Sequence, residues 1–154
     1  TALKVEPKKA SAIARQAEGN LNLALARCED DEEDDQAQRF AEWMRACFKK
    51  NFAQLVAFAD DFHALDKLHQ RNMLQYSLNM MREVLLQLGG ATTIQRSRGE
   101  ELKFVQDFSK VMNLARVDYA ARLINEASYH LERNGSPKMI FMDLSLKISN
   151  SFNS

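Results

Sequence analysis

The side chains able to do chemistry are few and scattered. The histidines are His63, His69 and His130. His63 and His69 stand six positions apart, so on a helix they do not share a face. No HExxH or Glu-x-x-His pair accompanies them, which leaves a di-metal helical bundle unsupported. Asp60 and Asp61 are adjacent and diverge on a helix, the pattern of a solvated face and not of a general acid/base pair. Cys47 sits on an apolar stripe with Trp43, Met44 and Phe48, where a cysteine is a buried structural thiol and not a nucleophile. Cys28 lies nineteen positions away, with no CxxC or Cys/His ligand spacing. The plain reading is two reduced thiols in a cytoplasmic protein. No phosphate-cradling glycine loop and no GxGxxG after a strand occur. The residues therefore predict no catalytic, cofactor-binding or metal site, and no small-molecule substrate.

Charge narrows the class further. Lys and Arg total 21 and so do Asp and Glu, a net charge of zero. The balance is uneven along the chain. Residues 29–35 read EDDEEDD, while residues 36–154 hold 16 Lys and Arg against 12 Asp and Glu, a net of +4. The run reads as a solvated linker that brings acids to a helix N-terminus. It lacks the spaced ligands and glycine of a calcium loop. The remaining +4 permits an acidic partner without demanding one. The opening TALKVEPKK is no signal peptide, and no apolar stretch is long enough to span a membrane. The start at Thr1, with a helical motif almost at once, reads as a piece cut from a longer protein.

The elements that position these residues are helices. Five glycines and two prolines in 154 residues are too few for many short strands, and helix formers dominate. Ala10, Ile13, Ala14 and Ala17, then Gly19 and an Asn20 cap before Leu21, Ala24 and Leu25, predict a short helix–Gly–helix hairpin. From residue 36 the apolar spacing is helical throughout. Phe40, Trp43, Met44, Cys47 and Phe48 form one stripe, and Leu55, Phe58, Ala59 and Phe62 the next, with a break at Lys49–Asn51. A long central helix is predicted from about Leu68 to Leu88. GGATTIQRSRGEE, residues 89–101, is a polar loop carrying Arg96 and Arg98. Helices follow over about Glu101–Val111, Arg116–Arg133 and Pro137–Phe152, the last opened by Ser136 and Pro137. The fold expected is all-α: a bundle of about five to six helices over 36–154, preceded by the hairpin of 1–28 and the linker of 29–35.

Two surfaces stand out as contact candidates. In the last helix Ile140, Phe141, Leu144, Ile148 and Phe152 cluster on one side and Met139, Met142 and Leu146 nearly opposite, with Ser145 and Ser149 on one flank and Asp143, Lys147 and Asn150 on the other. A helix apolar on two sides must be covered on two sides. It is either sandwiched in the bundle or meets a partner chain. On the preceding helix Tyr119, Arg122, Tyr129, His130 and Arg133 face outward, either as a second contact surface or as ordinary solvated surface.

The stretch ARQAEGNLNLAL, residues 14–25, resembles the end of the lid domain in the clamp-loader ATPase subunits of bacterial DNA polymerase III. That family carries an A-x-G-S-x-R-x-A-L pattern, which Ala17, Gly19, Asn20, Leu21, Ala24 and Leu25 fit. Asn22 stands where ATP-hydrolysing members place a nucleotide-sensing arginine. An amide cannot supply a permanent charge for phosphate. The departure resembles the delta-prime branch, which has lost ATPase activity. SYHLERNGSPKMIFMDLSLKI, residues 128–148, resembles the closing helices of the family's collar, with Asn134 and Asp143 in register. The resemblance implies a collar that packs beside the tau/gamma and delta subunits of a five-membered ring, and contact with DNA only through the intact loader. Two other classes stay open: a helical nucleic-acid-binding domain, and a small helical enzyme whose site is assembled from scattered polar residues.

Overall fold

The computed structural model describes residues 35–152. The chain divides into two compact units, 1–37 and 38–154. The hairpin expected at 1–28 and all but the last residue of the acidic run lie outside the described residues. Among the described residues there is no strand. Helix α1 covers residues 35–49. It is followed by α2 (Phe52–Ala64), α3 (Lys67–Leu88), a 3-10 turn (Thr92–Ile94), α4 (Gly99–Ser109), α5 (Leu114–Glu132) and α6 (Pro137–Ser151). The fold is an all-helical bundle.

Local chemistry sets the boundaries. Asn51, Asp66, Asn113 and Ser136 each accept from the third backbone N–H beyond them, at 3.2, 2.9, 2.8 and 3.4 Å. Each satisfies one of the donors a helix start leaves free. Pro137 then opens α6 with its φ already set. Three helices end in one way, a Schellman turn whose outer bond runs back five residues. Asn51 N–H donates to Ala46 O, Ala91 N–H to Leu86 O and Gly135 N–H to His130 O. The residue before each donor is left-handed: Lys50 at φ 58°, Gly90 at 77° and Asn134 at 65°. Lysine pays a steric penalty there, and its side chain is tied down by donating from Nζ to Ser149 O at 2.9 Å.

The main packing pairs are α3 with α5, α2 with α6, α5 with α6, and α3 with α4. At the centre Phe141 of α6 stacks between Trp43 of α1 (4.8 Å) and Phe62 of α2 (5.0 Å). Phe40 meets Tyr76 and Phe104 edge-on and ties α1 to α3 and α4. The α2–α3 corner is closed by Gln70, whose buried amide donates to both Phe62 O and Leu65 O at 3.0 Å. Phe48, expected in the α1 stripe, is not core: it is 49% exposed and touches Phe152 edge-on, and Leu85, expected at the margin of the α3 stripe, is exposed as well. The α1 stripe runs out at the turn, where the last aromatic projects past its neighbours.

The loop of residues 89–98 is anchored. Glu83, five residues before the C-terminal end of α3, is buried and points its carboxylate into the loop. Oε1 accepts from Arg96 N at 3.0 Å, Ser97 N at 3.1 Å and Ser97 Oγ at 2.9 Å. Gln95 adds a bond from its amide to Glu83 O at 3.2 Å. Arg96 and Arg98 are exposed on a loop held from beneath.

Candidate interaction surface

Helix α6 is clamped by three neighbours. Its buried side consists of Phe141, Leu144, Ser145, Ile148 and Ser149. The two serines form a polar seam with α1. Ser145 Oγ accepts from Trp43 Nε1 at 2.9 Å and donates to Phe141 O at 2.8 Å. Ser149 Oγ donates to Cys47 O at 2.6 Å. Cys47 Sγ lies 3.7 Å from Ser145 O. Small hydroxyls allow close helix approach and also satisfy the buried indole. The serine flank, read from sequence as a divider between two apolar faces, is therefore part of the buried side. Cys47 is fully buried, and that burial pushes its thiol up to about 12, slightly offset by Lys50. It is a packing residue, not a nucleophile at neutral pH.

The opposite side of α6 is uncovered. Met139 is 67% exposed and Leu146 37%, while Met142 is half-buried and packs against the core. Met142 thus belongs only in part to the face expected from its spacing. Its position at the edge of that face brings it against the bundle. Asp143 and Lys147 pair across one turn at 3.0 Å, and the hydrogen bond to Asp143 holds the Lys147 ammonium above its ordinary range. Lys138 reaches Asp60 of α2 at 2.7 Å, and its backbone N–H donates to His63 Nδ1.

Between α5 and α6 run two open cavities, of about 430 and 510 Å³. Leu123, Glu126, His130, Met139, Ile140 and Asp143 line the first. Asn113, Arg116, Tyr119, Asn150 and Ser151 line the second, and Lys147 borders both. Together they make a seam along three turns of α6, apolar at its floor and polar at its rim. Of the residues expected to form contacts, Met139, Tyr119 and His130 are brought to this seam, and Met142 and Leu146 are not. Arg122, Tyr129 and Arg133 line neither cavity. Arg122 is ion-paired with Asp118, and the Arg133 guanidinium lies 3.8 Å over the Tyr129 ring. Sequence reading missed Arg116, Glu126 and Lys147 as seam residues. The i, i+4 pairing of Asp143 with Lys147 was the one available signal.

Asn22, the residue in the sensor position, lies outside the described residues. Among the described residues no group of three or more His, Cys, Asp and Glu could hold a metal ion, and no helix is long and apolar enough to cross a membrane. What the site defines is a helical packing surface. No protein-family model, no curated protein and no solved structure matches the chain.

Proposed function

We propose that this chain is a non-catalytic interaction domain of the clamp-loader collar type, in a cytoplasmic delta-prime-like subunit, and that α6 and the α5–α6 seam meet neighbouring tau/gamma and delta subunits. The observation that carries this reading is the division of labour on α6. Three helices and a hydrogen-bonded serine seam fix one side, and that leaves Met139 and Leu146 presented in open water. Methionine and leucine on a rigid helix beside an apolar-floored groove suit helix packing. The lid-like motif at residues 14–25 and the all-helical bundle after it support the same reading. Contact with DNA then comes through the assembled ring, which opens and closes a sliding clamp in replication.

The test is co-expression with tagged tau/gamma and delta subunits. The chain is expected to co-purify with at least one of them. Leu146→Glu is expected to weaken that retention at least tenfold, about 1.4 kcal/mol, while the chain stays folded. A folded chain that binds neither subunit refutes the proposal. Strongly salt-dependent DNA binding by the chain alone would instead support a nucleic-acid-binding domain.

A further inference from the structure

The turn between α5 and α6 contains the single Asn–Gly dipeptide of the sequence, Asn134–Gly135. Both residues are imposed by the turn. Asn134 adopts φ 65°, a conformation that only glycine and, less readily, asparagine or aspartate tolerate well. A Cβ on Gly135 would stand 3.0 Å from Ile140 Cδ1 and 3.2 Å from His130 O. The isoleucine tip can move aside, but the helical carbonyl cannot. The α5 carbonyl is the fixed contact, and a Cβ would crowd it by a few tenths of an ångström, so the turn favours glycine at 135.

We propose that Asn134 is a site of spontaneous deamidation, gated by opening of the α5–α6 turn. The backbone nitrogen of Gly135 gives up its proton and attacks Asn134 Cγ. The new N–Cγ bond closes a succinimide, and the side-chain nitrogen leaves as ammonia. Water then opens the ring at either carbonyl, giving aspartate or isoaspartate at 134. With no Cβ on residue 135 the attacking nitrogen is unshielded.

The folded turn opposes this reaction. Gly135 N–H donates to His130 O at 3.0 Å, and Asn134 N–H to Leu131 O at 3.0 Å. The Asn134 side-chain oxygen Oδ1 accepts from Lys67 Nζ at 3.2 Å. The ammonium polarises that carbonyl, as an oxyanion donor would, but reaction needs the Gly135 nitrogen free and rotated onto Cγ. Both changes break the Schellman bonds, so the local opening free energy governs the rate. The two products differ in consequence. Aspartate keeps the backbone and places a carboxylate beside Lys67. Isoaspartate adds a methylene to the main chain, so the two turn bonds cannot both form. Gly135, Met139 and Ile140 border one end of the seam, and that end is where the damage falls.

The test is peptide mapping by mass spectrometry of the whole chain, incubated at mildly alkaline pH in native buffer and in urea. Asn134 is expected to be the first asparagine converted in both, at least about tenfold more slowly in native buffer. Asn134→Gly, which keeps the left-handed turn, is expected to remove the signal. The isolated isoaspartyl form is expected to melt below the unmodified chain, and Asn134→Asp close to it. Equal rates in native buffer and urea, or earlier conversion elsewhere in the native chain, overturn the gated site. An isoaspartyl form that melts with the unmodified chain overturns its structural consequence. No partner subunit enters this assay, so its outcome is independent of the proposed function.

Discussion

Glu83 offers the sharpest test of how the bundle holds its one long connection. Its side chain is 7% exposed and serves the Arg96 and Ser97 N–H groups and the Ser97 hydroxyl together. Glu83→Ala removes the acceptor from all three. A buried donor left unsatisfied costs about 1–3 kcal/mol, but the loop can lift into water and recover part of that loss. A net cost of about 3 kcal/mol follows, with little cavity term, since the loop is free to settle. For a chain of this size about 1 kcal/mol moves the melting midpoint by roughly 2–4 °C. The midpoint should then fall by roughly 6–12 °C. Glu83→Gln retains one oxygen for Ser97 and turns an NH2 toward Arg96 N–H or toward Arg82, whose guanidinium donates to Glu83 Oε2 at 3.3 Å, so about half the loss is expected. Amide hydrogen exchange supplies the local readout: protection at Arg96 and Ser97 should disappear in Glu83→Ala while α5 and α6 keep theirs. Unchanged protection at those two amides would refute the claim that the carboxylate orders the loop.

Three further outcomes follow from the α6 environment. Trp43 Nε1 has Ser145 Oγ as its acceptor, so Ser145→Ala should cost about 1–3 kcal/mol in urea unfolding, and Ser145→Thr should clash with α1 instead of restoring stability. Leu146→Glu should shift unfolding by no more than about 0.5 kcal/mol, whereas Met142→Glu, half-buried against the core, should cost about 1–3 kcal/mol. Equal effects of the two changes would show that both residues are core. Burial raises the Cys47 thiol from 9.0 to about 12. Below pH 9 both folded and unfolded chains keep the proton and stability is full. Between 9.0 and about 12 only the unfolded chain releases it, so stability should fall by about 1.4 kcal/mol per pH unit. Cys47→Ala should lack that component of the slope, and a thiol reagent at pH 8 should label Cys47 only after unfolding.

The features legible in the sequence were those written in short-range spacing. Ser136 and Pro137 announce the start of α6, and the period of Met73, Ser77, Met80, Met81 and Val84 makes α3 a central helix, whereas sequence reading missed the Asp66 cap that starts α3. What else escaped depends on partners beyond the local window, 13 or 14 residues away for Glu83 and 102 for the two serines. Nothing local distinguishes Ser145 and Ser149 from a solvated flank, because their partners Trp43 and Cys47 lie 102 positions earlier. Glu83 looks like an ordinary charged residue beside an apolar stripe. Only the return of the loop over α3 turns it into an anchor. The polar composition marked the segment only as a loop, yet Ser97, part of that composition, is one of the groups that holds it.

The serine seam also sharpens the choice that the last helix posed. Two apolar faces separated by two polar flanks could mean a helix sandwiched in the core. The hydrogen bonds of Ser145 and Ser149 decide against full enclosure. They commit the serine flank to α1, so the buried arc of α6 runs from Leu144 through Phe141 and Ile148 to Ser149. The remaining arc carries Met139, Asp143, Leu146 and Asn150, all exposed. An arc with an acid and an amide beside two large apolar side chains is unsuited to a dry core, where each polar group would need its own partner. It suits a rim contact in which the methionine and leucine are covered while Asp143 and Asn150 stay at the wet edge. Leu146→Glu, rather than any change on the buried arc, is therefore the substitution that tests the proposed contact while leaving the fold intact.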